Sequence, residues 1–319
     1  MTTALSSPEE ELRALLKRVR QIELKTKKAV NAAGQGAYHS RFKGRGMAFS
    51  ESRAYVAGDD PRHIDWNATA RRQDPSLGAG ELFVKQFVEE RELTVLLAVD
   101  LSGSMGTGSR ARTKRQIAAE AAALLAFSAL RNNDKVGLVV FTDRIELLVR
   151  PKKGRGHVLR LIREILALSP QGRGTDLAAA VQTVTHLSKQ RAIVALISDL
   201  QSPLLGGSPL GAAEQPLRVL ARRHDLIALE IEDPIEAELP DAGLVSVFDP
   251  ETGKTALIDT SDKRVRAAYR ERMAGERARL GAALDKLGVD HVRVSDRESA
   301  NTLVRFLKRR ARGAGRRSA

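Results

Sequence analysis

Residues 94–99 read Thr-Val-Leu-Leu-Ala-Val and run directly into Asp100. A continuous apolar stretch of this length, with no polar alternation and with turn residues after it, predicts a strand buried on both faces of a sheet. That single feature restricts the chain to folds in which helices cover both sides of a largely parallel sheet. Asp100, Ser102 and Ser104 then fall just beyond the carboxyl end of the strand, the edge at which open α/β sheets bind ligands. Three hard oxygen donors, with no cysteine in the chain and no histidine nearby, suit Mg²⁺ ahead of Zn²⁺. Asp-x-Ser-x-Ser alone is equally what a turn with a capping serine requires.

The sequence beyond this strand keeps the same rhythm. An alanine- and leucine-rich helix is predicted over 112–131, strands over 135–141 and 145–149 with a hairpin-like turn between them, and a helix over 157–168. A Gly-rich loop, 170–176, opens a helix at 177–187. A buried-type strand follows at 192–197 and ends in Ser198 and Asp199. Helix 214–224, strand 226–231, an inserted hairpin (244–248 with 255–258), helix 262–287, strand 289–294 and helix 299–310 complete the series. This alternation predicts an α/β fold with a doubly wound, mostly parallel sheet flanked by helices. The expected organisation is an N-terminal helix with a β and loop extension over 1–92, the α/β domain over 93–298, and a C-terminal helix with a basic tail over 299–319.

The N-terminal part carries its own signals. Ser7, Pro8 and three glutamates start a helix, Leu12, Leu15, Leu16, Val19 and Ile22 give it an apolar stripe, and Gly34 and Gly36 close it. Residues 34–48 are Gly-rich and basic, but the phosphate-loop spacing Gly-x-x-x-x-Gly-Lys-Ser/Thr occurs nowhere in the chain. Phe49, Glu51, Arg53 and Tyr55 alternate as on one face of a strand. Asp59, Asp60 and Asp65 then lie among arginines beside the chain's one tryptophan, Trp66. Ion pairing that pins this segment is the simpler reading; paired-carboxylate catalysis has no substrate-shaped context here.

Composition excludes several classes. A hydrophobic content of 42% is ample for a packed core. The lack of cysteine removes disulfides and Cys-based zinc sites. The first eleven residues are acidic where a secretory signal would be basic, and the apolar run around 121–130 falls short of the roughly 20 residues that span a bilayer. A cytoplasmic protein without a membrane span is the expectation. Half of the net charge of +14 sits in the last fifteen residues, which hold seven basic side chains and no acid. Phe306 is the only aromatic there, so no stacking platform accompanies the charge, which argues against specific nucleic-acid binding.

If the strands at 94–99 and 192–197 are neighbours, Asp100, Ser102, Ser104, Thr175 and Asp199 meet at one sheet edge, and two carboxylates with three hydroxyls suit an octahedral Mg²⁺ that keeps some water. This combination resembles the metal-ion-dependent adhesion site of von Willebrand factor A domains over roughly residues 93–295. The upstream pattern Phe49-x-Glu51-x-Arg53-x-Tyr55, Gly58–Asp59–Asp60-x-Arg62-x-Ile64–Asp65–Trp66, with Ala70–Arg71, is similar to the narrower bacterial family called domain of unknown function 58, associated with MoxR-type AAA+ ATPases. Asp249–Pro250–Glu251–Thr252–Gly253 with Asp259–Thr260 resembles that family as well. The resemblance implies that Ser102 and Ser104 ligate the metal directly, Thr175 directly or through water, and Asp100 and Asp199 largely through water. It implies Mg²⁺, with Mn²⁺ or Ca²⁺ also admissible, and a partner's carboxylate completing the shell. It further implies a non-enzymatic adaptor or co-chaperone that works with a MoxR-type AAA+ ATPase on client proteins.

Two enzymatic alternatives compete. A Mg²⁺-dependent hydrolase or nuclease would use the acidic groups, although only two of the five candidate ligands are carboxylates. Serine hydrolysis at Ser102 or Ser104 lacks the Gly-x-Ser-x-Gly pattern, since Ser102–Gly103–Ser104–Met105–Gly106 has serine where the first glycine belongs, and no histidine context marks a base.

Overall fold

The computed structural model describes residues 17, 20–24, 48–72, 82–88, 93–108, 112–201, 208–248, 255–296 and 299–316. The chain divides into two compact units, Phe42–Leu93 and the remainder, Met1–Arg41 with Thr94–Ala319.

In the smaller unit, strand β1 (Ala48–Ala54) pairs antiparallel with β2 (Phe83–Val88), and helix α1 (Trp66–Arg72) lies between them in sequence. The interleaved charges are structural. The Arg53 guanidinium grips both oxygens of Asp59 at 2.7 Å, and Val56 N donates to the same carboxylate at 2.9 Å, closing the turn after β1. The Arg53 hydrogen bonds hold the Asp59 carboxyl down at about 2. Asp65 accepts Ser52 Oγ at 2.8 Å and Ala68 N at 3.1 Å, capping α1. Asp60 accepts Arg62 N at 2.9 Å.

The larger unit is organised by a six-stranded sheet in the order β10-β7-β6-β3-β4-β5. Its strands are β3 (Thr94–Asp100), β4 (Lys135–Phe141), β5 (Ile145–Lys152), β6 (Ile193–Ser198), β7 (Asp225–Glu232) and β10 (Asp290–Ser295). All neighbours are parallel except β4 and β5, which are joined by a tight turn. From β3 the chain moves outward to β4 and β5, then returns to lay β6 against the other side of β3. The strand order therefore reverses at β3 and β6, the switch point at which such sheets form a crevice. The doubly wound arrangement expected from the alternation of strands and helices is the one found.

Helices α2 (Lys114–Arg131), α3 (Arg155–Ala167) and α7 (Ser299–Arg316) pack together on one face. Helices α4 (Leu177–Leu187), α5 (Glu214–Arg223) and the end of α6 (Lys263–Lys286) cover the other. There Leu96, Ala98, Val194 and Leu196 of the sheet meet Val181, Val184, Leu217, Leu220, Leu280 and Leu284. α2 has no amphipathic stripe, because strands and helices surround it. Ala118, Ala119, Ala121, Ala122, Ala123 and Ala126 are inaccessible, and their small size admits close neighbours on every side. Arg115 holds α3 from this helix: its Nε donates to Ile165 O at 2.6 Å and its Nη2 to Leu168 O, satisfying carbonyls that end a helix without partners.

The inserted hairpin forms a separate two-stranded sheet of β8 (Leu244–Phe248) and β9 (Thr255–Asp259). The sequence places the end of the last helix at 310, whereas α7 continues to Arg316. Leu303, Phe306 and Leu307 are buried beneath it, and Arg310 is held by Asp225 and by Asp290 at 2.9 Å. Of the expected N-terminal helix, residues 17 and 20–24 are described and helical; Ile22 is buried, and Glu23 accepts Arg155 Nε at 2.6 Å and Nη2 at 2.9 Å. The rest of that helix, the Gly-rich stretch up to 47 and the hairpin tip 249–254 lie outside the described residues. Among the described residues no helix is long and apolar enough to cross a membrane.

Candidate metal-binding rim

Asp100 ends β3 and is completely inaccessible. Its Oδ1 accepts Ser102 N at 2.8 Å, so the carboxylate folds the chain back into the tight turn that follows the strand. Its Oδ2 accepts Ser198 Oγ at 2.7 Å from the end of β6, and the same Ser198 oxygen accepts Leu200 N at 3.0 Å. Leu200 adopts φ 51°, a left-handed conformation that this bond helps to hold. Burial, and after it the charge of Asp199, pushes the Asp100 carboxyl up to about 7, against the hydrogen bonds from Ser198 and Ser102.

Ser102 is buried and Ser104 half-buried, and their hydroxyl oxygens lie 3.2 Å apart. The short 3₁₀ turn Gly103–Gly106 sets that spacing, with Thr107 Oγ1 donating to Ser104 O at 2.6 Å. Gly103 N donates to Arg173 O at 2.8 Å, which ties this turn to the loop carrying Thr175. That loop is fixed from the other side as well. Asp176 N donates to Thr142 O at 2.8 Å, and Glu146 Oε1 accepts Thr142 Oγ1 at 2.8 Å, Gln171 N at 3.0 Å and Gly172 N at 2.7 Å. Burial raises the Glu146 carboxyl, but the Gly172 and Gln171 amides outweigh it and the net displacement is downward. Asp176 caps α4 by accepting Ala179 N at 2.9 Å.

The structure thus links Asp100, Ser102 and Ser104 directly, sets Asp199 close enough for its charge to act on Asp100, and brings the Thr175 loop to the same rim through its backbone. The donor set is rich in hydroxyls. Among the described residues no group of three or more His, Cys, Asp or Glu side chains is placed to hold a metal by itself. Two adjacent serine oxygens with carboxylates behind them fit a small hard cation and offer nothing to a soft one.

Lys114 is the residue that sequence reasoning missed. It is the first residue of α2 and is completely inaccessible, yet its Nζ donates to Asp199 Oδ2 at 2.8 Å and to Glu236 Oε1. Burial alone would lower the lysine's pKa; Asp199 and Glu236 outweigh that and the net displacement is upward. Glu236 is itself seated by a capping box on the 3₁₀ turn Pro234–Glu236, its Oε2 accepting Asp233 N at 3.3 Å. A signal did exist. A lysine in the first turn of the helix expected from 112 stands against the helix dipole, at a cost of about 0.3–1 kcal/mol that acids in front of it would offset. Ser198, read only as part of a Ser-Asp pair, supplies the hydrogen bond that joins β6 to Asp100. Glu146 gave no sequence signal.

The described histidines of the larger unit are bonded elsewhere: His157 bonds Val136 O at 2.8 Å, His186 bonds Gln182 O at 2.7 Å, His224 accepts Ala192 N at 3.2 Å and His291 bonds Glu230 at 2.7 Å.

Comparison with known proteins places this architecture in context. The family described as "Protein of unknown function DUF58" matches residues 51–279. Uncharacterized proteins of Mycobacterium tuberculosis and Mycobacterium bovis are 30% identical over 299 residues, covering 93% of this chain and 90% of theirs. A protein of Mycobacterium avium, also uncharacterized, is 33% identical over 169 residues, 52% of this chain and 95% of its own length. Similar solved structures include an aerotolerance-related membrane protein of Bacteroides fragilis (17% identity, TM-score 0.45) and BatB of Bacteroides thetaiotaomicron (18%, TM-score 0.44), each matched over 69% of this chain and 99% of the other. The SpRpn10 VWA domain is matched at 12% identity and TM-score 0.38, over 67% of this chain and 94% of its own.

Proposed function

The chain belongs to the DUF58 family, with a von Willebrand factor A-like fold that suggests a protein-interaction module, and from this footing we propose that it is a metal-dependent protein-binding module without catalytic turnover. The observation that carries the reading is the pair of serine hydroxyls 3.2 Å apart on a turn anchored by buried Asp100, at the sheet's switch point. Ser102, Ser104 and Thr175 would hold Mg²⁺ by their hydroxyls, with Asp100 and Asp199 acting largely through water. A bound divalent cation supplies a point of positive charge for an acidic residue of a partner protein.

This chain's own residues position that encounter. Ser198 and the Ser102 amide hold the Asp100 carboxylate, so that it supports the turn and does not reach into solvent. Glu146 holds the Thr175 loop from behind. The described histidines of the larger unit, His157, His186, His224 and His291, are committed elsewhere, so none of them serves Ser102 or Ser104 as a base, which favours binding over serine hydrolysis. The partner we propose is a MoxR-type AAA+ ATPase, with client proteins presented to it or remodelled with it.

Two measurements test this. Mg²⁺ at a hundredfold excess over its dissociation constant should stabilise the native state by about 2.7 kcal/mol, visible as a rise in unfolding temperature that Ser102→Ala with Ser104→Ala abolishes. Capture of the ATPase encoded in the same genome should require Mg²⁺ and be lost in Asp100→Ala with Ser102→Ala. Equal capture in Mg²⁺ and in chelator, by wild type and variant alike, would refute metal-gated binding.

A further inference from the structure

A wholly buried ammonium beside a cation site is an unusual expense of solvation. Lysines are almost never fully buried unless paired, and Lys114 is paired twice. Its first partner, Asp199, belongs to the rim; its second, Glu236, does not. Asp199 Oδ2 is occupied by the ammonium at 2.8 Å, which leaves Oδ1 as the oxygen free to face the rim, with only a long contact from Gln201 N at 3.5 Å. The rim therefore holds one internal positive charge against the two carboxylates Asp100 and Asp199, while Glu236, from behind, takes part of that charge away.

We propose that Lys114 is the positioning and charge-setting residue of this rim: its ammonium orients Asp199 and lowers the rim's affinity for a divalent cation, and Glu236 opposes it by sharing that charge. The inference rests on the metal-binding reading above and deepens it. A rim whose carboxylates are partly neutralised from within leaves more of a bound cation's charge uncompensated, and so favours completion of the shell by a partner's acid. A purely structural pair would have no such effect; removing either partner would only loosen the site.

The two roles predict different signs. Removing one unit charge about 6 Å from a bound divalent ion changes its affinity by about tenfold even at the dielectric of water, and by more inside a protein. Lys114→Met, which removes the internal positive charge, should bind Mg²⁺ about tenfold more tightly. Glu236→Gln, which keeps the Lys114–Asp199 contact and returns the full ammonium charge to it, should bind Mg²⁺ several-fold more weakly. Titration calorimetry with Mg²⁺ on the full chain, repeated with Mn²⁺ by electron paramagnetic resonance, gives both constants. Opposite shifts of the two variants about a measurable wild-type value support the proposal. Weaker binding in both, or no change in either, overturns it and leaves the metal reading standing. No binding by the wild type overturns both. If Lys114→Met does not fold, as loss of a buried pair's cation permits, Lys114→Gln takes its place, keeping a hydrogen-bond donor toward Asp199 without the charge: tighter binding than wild type supports the proposal, and equal or weaker binding overturns it.

Discussion

Gly172 and Gly174 flank Arg173 in the loop that carries Thr175, and the same substitution at the two positions should give unequal results. A Cβ on Gly172 would stand 2.0 Å from Asp143 Oδ1 and 2.2 Å from Thr142 Oγ1. The Asp143 side chain is 46% exposed and can rotate away. Thr142 cannot: it is inaccessible, and its hydroxyl is bonded to Glu146 at 2.8 Å. The loop must therefore move, straining the Glu146 bonds to Gln171 N and Gly172 N. Overpacking of this kind costs about 1–3 kcal/mol and a weakened hydrogen bond about 0.5–1.5 kcal/mol. The reduced freedom of the unfolded chain returns about 0.4–1 kcal/mol. Gly172→Ala should thus lose about 2–3 kcal/mol, a fall of roughly 4–12 °C in unfolding temperature at 2–4 °C per kcal/mol. At Gly174 the added Cβ meets only Asp143 Cβ, at 3.7 Å, an ordinary contact. Gly174→Ala should be neutral or stabilising by less than about 1 kcal/mol. Scanning calorimetry on both variants is the assay. Equal shifts, or a larger loss at Gly174, would refute the argument that the buried Thr142 hydroxyl dictates the path of the loop.

The pH dependence of the smaller unit should carry the mark of Asp59. Its carboxyl titrates at about 2 in the folded chain, held down by Arg53, against a usual value near ~4. A depressed folded value means that this contribution to stability is complete above about pH 4 and is lost as pH falls from there toward about 2. Acid unfolding followed by circular dichroism should be less steep in that window for Asp59→Asn; superimposable pH profiles would contradict the assignment. In the larger unit, Arg310→Met removes the guanidinium held between buried Asp225 and half-buried Asp290 and should cost about 3 kcal/mol in urea unfolding. The exposed neighbour Arg309→Met should change it by less than about 0.5 kcal/mol.

Much of the architecture could be read in the sequence because it depends on local patterning. The run from Thr94 to Val99 is apolar at every position after the first, and β3 is buried on both faces as that pattern requires. Strands β4, β6 and β7 declared themselves in the same way, and the Gly-rich loop before α4 is where the turn residues placed it. Asp100, Ser102 and Ser104 are neighbours in sequence, so their convergence follows once the strand is known to end at Asp100. The N-terminal helix falls largely outside the described residues, while α7 continues past its expected end at 310 to Arg316.

The sequence by itself determined which residues lie at the ends of the strands, since hydrophobic period and turn chemistry act over a few residues. Tertiary structure alone decided which charges face one another there. Lys114 meets Asp199 from 85 positions away and Glu236 from 122, and Glu146 receives the Gly172 amide from 26. No local pattern encodes such pairs. A lysine is buried only where the winding of the sheet delivers acids to it, because water otherwise solvates an ammonium far better than a protein interior does.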